Sequence, residues 1–265
     1  MFRWLPFIKS KPRIAILRLS GVIGTATRGS LNHETLAPLF EKAIRKGKPS
    51  AVAIELNSPG GSPVQSSMIG AHLRSLTDEL DIPIHAFIED IAASGGYWLA
   101  AVADKIWADE SSLIGSIGVI SSGFGAHEFL VRQGFERRVY TAGKSKSFLD
   151  PFRLENKDDV ARLQVLLDEI HKNFIDYVKQ RRGNLLTTEV DLFSGDVWLA
   201  HRARELGLID GIGHLKPKMQ ELFGEDVDLR RYAIRLPVFK RLGAQVIQNG
   251  LAEIEERAEY ARYGL

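Results

Sequence analysis

Apolar residues along the chain fall into short runs divided by glycine-rich breaks. Ile14 to Leu19 (IAILRL) reads as a first strand, and Gly21-Val22-Ile23-Gly24 turns out of it. Thr35 to Lys46 sets Leu36, Leu39, Phe40 and Ile44 at helical spacing, and Gly47 supplies the stop. Ala51 to Leu56 (AVAIEL) is almost entirely apolar, as a strand buried on both faces must be. Asn57-Ser58-Pro59-Gly60-Gly61-Ser62 breaks that strand sharply, and a helix is predicted from Val64 to Leu76. Pro83 to Ile88 (PIHAFI) is the next strand. The stretch IAASGGYW follows it, and a helix carries Trp98 to Ala103. Lys105 to Ala108 (KIWA) is a further strand, ahead of the glycine-punctuated Ile114-Gly115-Ser116-Ile117-Gly118-Val119.

Strands and helices alternating at short spacing predict an α/β fold with a largely parallel sheet. The longest helix is expected over Asp158 to Arg182. Val160, Leu163, Leu166, Leu167, Ile170, Phe174 and Val178 form its apolar stripe, and Gly183 ends it. Trp198 to Leu206 reads as a short helix closed by Gly207. After Pro237 the pattern is one polar-rich helix ending in AEIEERAEYARYGL, an appendage or oligomer contact rather than core. No internal repeat or low-complexity linker is visible. The expected organisation is a basic aromatic tail over 1–12, one domain over 13–236 and a helical tail over 237–265.

Composition narrows the classes. The 265 residues are 45% hydrophobic and 26% charged, ordinary for a globular protein able to bury a large core. The absence of cysteine excludes a disulfide scaffold, a thiol nucleophile and a Cys-ligated metal, and fits a reducing compartment. A net charge of +2 is too balanced for nucleic acid as the main partner. The N-terminus mixes Phe2, Trp4, Leu5, Phe7 and Ile8 with Arg3, Lys9, Lys11 and Arg13. It reads either as a frayed tail or as a stretch that lies on an anionic membrane surface. No run approaches the roughly 20 apolar residues that span a bilayer. The expectation is a cytoplasmic protein with, at most, peripheral membrane contact.

Chemistry is sought at the two strand-to-loop breaks, because sites in parallel sheets form at the C-terminal ends of strands. Paired glycines let backbone N–H groups approach a ligand, which is what an oxyanion hole requires. Ser94, between two alanines and two glycines, follows the logic of a nucleophile elbow, although A-S-G-G is not the G-x-S-x-G motif. A core serine is the plainer alternative. A nucleophilic serine needs a base. None of the seven histidines stands in a catalytic context, and His85, the nearest in sequence, lies inside the preceding strand. A lysine is the alternative base, provided that burial or a neighbour lowers its pKa. Lys144 and Lys146 lie in the small-residue loop Thr141-Ala142-Gly143-Lys144-Ser145-Lys146-Ser147-Phe148, where solvated lysines are the plain reading. No phosphate-binding loop is present, and neither metal nor other cofactor is expected.

The strand AVAIELNSPGG, the segment IAASGGYWLA, the block LIGSIGVI and the loop TAGKSKSFLDPF occur in that order. Together they resemble the signal peptide peptidase A family of serine–lysine proteases, of the ClpP/crotonase fold, over Arg13 to Leu215. The resemblance implies a spiral of strand-strand-helix units and a serine endopeptidase acting on membrane-derived or signal-peptide remnants. It places the nucleophile on Ser94 and the general base on Lys146, with Lys144 as competitor. It places oxyanion donors on the N–H groups of Gly61 and Gly95, with Gly60 beside them. Ser116 is expected to hydrogen-bond the lysine amine. Family members are typically anchored by an N-terminal helix, which this sequence does not show. A short soluble form, a peripheral N-terminus and an anchor removed from the chain stay open. Members often assemble as rings, so a homo-oligomer is expected, and a neighbouring chain can complete the site.

Two rivals remain. A crotonase-type acyl-CoA enzyme would place a carboxylate in the site; Glu89 and Asp90 precede the elbow but read as solvated turn residues. A noncatalytic scaffold of the same fold would need neither Ser94 nor a lysine.

Overall fold

The computed structural model describes residues 11–25, 30–143, 146–233 and 257–265. The N-terminal apolar residues Phe2, Trp4, Leu5, Phe7 and Ile8, Lys144, and most of the expected C-terminal helix therefore lie outside the described residues. Eight strands form one sheet, in the order β6-β5-β3-β2-β1-β8, with β4 pairing β3 and β7. The strands are β1 Arg13–Ser20, β2 Ala51–Ser58, β3 Ile84–Ala93, β4 Lys105–Ala108, β5 Leu113–Gly115, β6 Val197–Leu199, β7 Gly211–Ile212 and β8 Asp228–Tyr232. All pairings are parallel except β5 with β6. The expected α/β class with a largely parallel sheet is what the chain adopts.

The centre of the sheet follows from composition. Residues Ala51–Leu56 of β2 are buried between β1 and β3, which explains a run that is apolar except for Glu55, whose carboxylate pairs with Arg18 and Arg231. Helices α1 His33–Glu41, α2 Pro63–Glu79 and α3 Gly95–Ala100 bury Leu36, Phe40, Ile69, Leu73 and Tyr97 in the larger core, whereas α4 His127–Arg132 buries none of its residues. Side chains cap two of them: Asn32 accepts from the Thr35 N–H at 3.0 Å, and Ser62 from the Gln65 N–H at 3.3 Å. Met219 of α7 Leu215–Phe223 packs on the opposite face with Ile14, Ile16 and Phe87.

Four local expectations shift. Strand β3 does not stop at Ile88 but runs to Ala93, because Ser58 and Ala92 keep pairing past a register shift. Glu89 and Asp90 are thus strand residues rather than turn residues, with Asp90 exposed as expected and Glu89 half-buried. Arg18 holds Glu89 at 3.2 Å, and the Asn57 amide donates to Asp90 at 2.6 Å. Helix α3 begins at Gly95, three residues earlier than expected. Trp198 lies in β6 opposite Ile114, and the helix there, α6, spans only Ala200–Glu205. The long helix α5, Lys157–Arg182, buries only Phe174, Val178 and Arg182. In the N-terminal part of its stripe Val160 and Leu166 are exposed and Leu163 and Leu167 only half-buried.

The C-terminal end of α5 is tied to the sheet by a buried ion pair. The Arg182 guanidinium donates to the Gly207 carbonyl and to Asp210, both at 2.9 Å. Asp210 also accepts from the Ile106 N–H at 2.8 Å and from Lys105 at 3.1 Å. Burial pushes the Asp210 carboxyl up, but the Ile106 N–H and the Arg182 charge outweigh it and hold the group below its ordinary value.

Candidate active site

Ser94 joins β3 to α3 with φ 51° and ψ −121°, a left-handed backbone that few non-glycine residues adopt. The turn is held from several sides. The Ser94 N–H donates to the Gly115 carbonyl at 2.9 Å, and the Trp98 N–H to the Ser94 carbonyl at 3.1 Å. Behind it, the buried Tyr97 hydroxyl donates to the Leu208 carbonyl at 2.8 Å, and burial pushes that phenol up. Trp98 stacks between Phe174 and Tyr177, with centroids 4.9 and 4.7 Å away, contacts that contribute about 0.5–1.5 kcal/mol each beyond area burial.

The SPGG loop packs directly on this elbow. Gly60 and Gly61 take φ 107° and 134°, which glycine alone adopts without strain. A Cβ on Gly60 would sit 2.8 Å from the Ala93 carbonyl oxygen and from the Ser94 Cβ; one on Gly61 would sit 2.1 Å from the Ile23 carbonyl oxygen. Ile23 pins the loop: its N–H donates to the Gly60 carbonyl, and its carbonyl accepts from the Ser62 N–H, both at 2.8 Å. A Cβ on Gly95 would lie 3.4 Å from the Gly61 nitrogen, so the backbones that carry these two N–H groups approach each other at the elbow. Neither donates to an acceptor among the described residues. At Gly95 this follows from its place in the first turn of α3, where N–H groups lack an intrahelical partner.

Ser94, Gly61, Gly95 and Ser116 all line one cavity of about 500 Å³. Trp98, Ile170 and Phe174 give it an apolar wall. Ser116 also takes a left-handed backbone, φ 51°, and its N–H donates to the Asp196 carbonyl at 2.6 Å. Its hydroxyl accepts from Tyr263 at 3.2 Å. Four of the five residues picked as donors, nucleophile and lysine partner thus converge here; Gly60 packs behind them.

Lys146 does not join them. It is exposed, on a turn whose nearest tie is its own N–H to the Gly143 carbonyl at 3.3 Å, and it does not line the cavity. Glu89 and Asp90 border a different cavity, so the carboxylate of the acyl-CoA rival is not supplied from there. No group of three metal-ligating side chains occurs among the described residues. Three contributors were not singled out from the sequence: Ile23, the pin of the glycine loop; Ser66, whose hydroxyl abuts Gly95; and Tyr263. Only the Y-x-x-Y spacing of Tyr260 and Tyr263, one helical turn, distinguishes the last of these in the sequence.

The model of Peptidase family S49 matches residues 77–227. A putative protease of Synechocystis is 31% identical over 210 residues, covering 78% of this chain and 73% of that protein. A putative signal peptide peptidase SppA of Enterococcus faecium is 29% identical over 219 residues, covering 80% of this chain and 63% of that protein. The chain belongs to Peptidase family S49, and the expected ClpP/crotonase-like fold class stands with that membership. A Brucella abortus protein described as the Na(+)/H(+) antiporter NhaA is 42% identical over 271 residues, covering 95% of this chain. The chain spans only 37% of that protein's length. Among the described residues, no helix is long and apolar enough to cross a membrane.

Proposed function

We propose that the chain is a serine endopeptidase in which Ser94 is the nucleophile and Lys146 the general base. One observation carries the reading: Ser94 is held in a left-handed elbow at the cavity with the Gly61 and Gly95 backbones beside it, and neither of their N–H groups donates to an acceptor among the described residues. In the proposed reaction the neutral lysine amine takes the proton from Ser94 Oγ, and the oxygen attacks a peptide carbonyl. The Gly61 and Gly95 N–H groups hold the oxyanion that develops. The lysine returns the proton to the leaving amine, and water hydrolyses the acyl-enzyme. Ser116 orients the amine. The apolar wall of Trp98, Ile170 and Phe174 suits apolar peptides, and membrane-derived or signal-peptide remnants are the proposed substrates. No nucleic acid or cofactor takes part. The proposed location is the cytoplasm, with peripheral membrane contact through the basic aromatic N-terminal residues.

For the lysine to act, the segment from Gly118 to Asn156 must dock on a site. A second copy of the chain is the proposed surface that docks it, in a homo-oligomer. The support is the arm's outward face: Ile120, Phe124, Phe129, Val131 and Phe135 are each more than half exposed, a pattern that marks interaction surfaces.

A fluorophosphonate probe tests the assignment. It should label the wild-type chain on Ser94, and labelling should vanish in Ser94→Ala and in Lys146→Ala while persisting in Lys144→Ala. Labelling that survives Lys146→Ala and is lost in Lys144→Ala would move the base to the competitor. Absence of labelling in the assembled wild type would overturn the peptidase reading.

A further inference from the structure

Residues 257–265 lie against the Ser94 cavity. Glu259, Arg262 and Tyr263 form part of its wall. The Tyr263 hydroxyl donates to Ser116 Oγ at 3.2 Å. The Tyr260 hydroxyl donates at 3.0 Å to the carbonyl of Asn57, in the strand that leads into the SPGG loop. Leu265 reaches a second cavity, beside Ile88 and Leu215. The residues turned inward are Glu259, Tyr260 and Tyr263, one face of a helical turn; the others are exposed. None of the nine belongs to either hydrophobic core. The segment thus meets the cleft through Glu259, Arg262 and Tyr263, contacts that a competitor for the cleft would replace, and is held beside it through Tyr260 and Leu265.

We propose that residues 257–265 are a built-in occupant of the peptide cleft, which holds the site closed until an incoming peptide or the docking lysine arm displaces them. This rests on the peptidase reading above. Two features make the contact inhibitory. Tyr263 uses the Ser116 hydroxyl, the group assigned to orient the lysine amine. Arg262 and Tyr263 narrow the same cavity that an extended peptide must enter to bring its carbonyl to Ser94. The ligand class follows: the cleft accepts a short peptide that presents a tyrosine hydroxyl to Ser116.

The test uses the full chain with Tyr260→Ala and Tyr263→Ala together, and Tyr263→Phe as a milder variant that keeps the ring. If the segment is seated nine-tenths of the time, the double variant should label with a fluorophosphonate probe about tenfold faster than wild type, with Tyr263→Phe in between. Adding the synthetic peptide RAEYARYGL should slow the double variant again. An unchanged or lower labelling rate, with no effect of the peptide, overturns the proposal. If no chain labels at all, the peptidase reading fails by itself. Occupancy is then read by fluorescence anisotropy of the labelled peptide on the double variant: saturable binding supports a built-in occupant, and its absence rejects one.

Discussion

Ser94 ends a strand in which eight of ten residues are buried, whereas Lys146 stands on an arm from Gly118 to Asn156 in which no described residue is buried. The strand is hydrogen-bonded on both sides and backed by Tyr97 and Trp98. The arm is tied chiefly to itself: the Ala126 N–H donates to the Pro151 carbonyl at 2.7 Å, Arg137 pairs with Asp150 at 3.2 Å, and the Arg137 guanidinium lies over Phe152 at 5.7 Å. The two halves of the proposed dyad thus have different origins. A strained nucleophile persists only where packing over-determines it, so its half must be built into the core. In the proposed dyad the base needs only to arrive, carried by the docking of an arm with an exposed apolar face.

Three changes sharpen or break this contrast. The largest falls on the core. Arg182→Ala strips the guanidinium from Asp210, leaving it only Lys105 and the Ile106 N–H, and should cost about 3 kcal/mol in chemical denaturation. The same pair fixes an acid response. Because the folded-state pKa of Asp210 is depressed, its stabilisation is complete above the unfolded value of about 3.9 and is lost as pH falls from there through the lower folded value. Acid unfolding followed by circular dichroism should show that loss in wild type and a weaker one in Arg182→Ala. Equal acid profiles would separate Asp210 from core stability.

Next, Gly61→Ala forces a Cβ against the Ile23 carbonyl in a left-handed backbone. Turnover should fall by about 10²–10³-fold, the usual loss when one oxyanion donor is displaced. Retained turnover would remove Gly61 from the site. The smallest effect on folding is expected on the arm. Phe129→Asp should alter unfolding free energy by no more than about 0.5 kcal/mol, as for exposed positions in general. It should nonetheless shift sedimentation velocity toward the monomer and reduce labelling of Ser94. A large loss of stability would place the arm in the core after all, and an unchanged oligomer would remove its apolar face from the interface.

Much of this was legible in the residues themselves. Buried parallel strands announce themselves by continuous apolar runs, as AVAIEL does, and Gly60 and Gly61 by the strict demand of positive φ for glycine. Ser94 was legible for the same local reason: small neighbours and a strand-to-helix break are sequence-adjacent properties. What escaped depends on distant partners. The extension of β3 past Glu89 and Asp90 rests on pairing with Ser58 and on Arg18, 71 residues away from Glu89. The stripe of α5 could not reveal that only its C-terminal end meets the core, because periodicity records which face is apolar and not what covers it.

The sequence by itself determined the α/β class, the order of the strands along the chain, the two glycine-rich breaks and the serine between them, since each depends on local backbone preference and burial. The tertiary structure alone decided that Ile23 locks the glycine loop, that the Gly61 and Gly95 backbones meet at the Ser94 elbow, that Lys146 does not line the Ser94 cavity and that Tyr263 meets Ser116. Those relations join residues far apart in the chain, and only the packing of the sheet and its helices fixes distances of that kind.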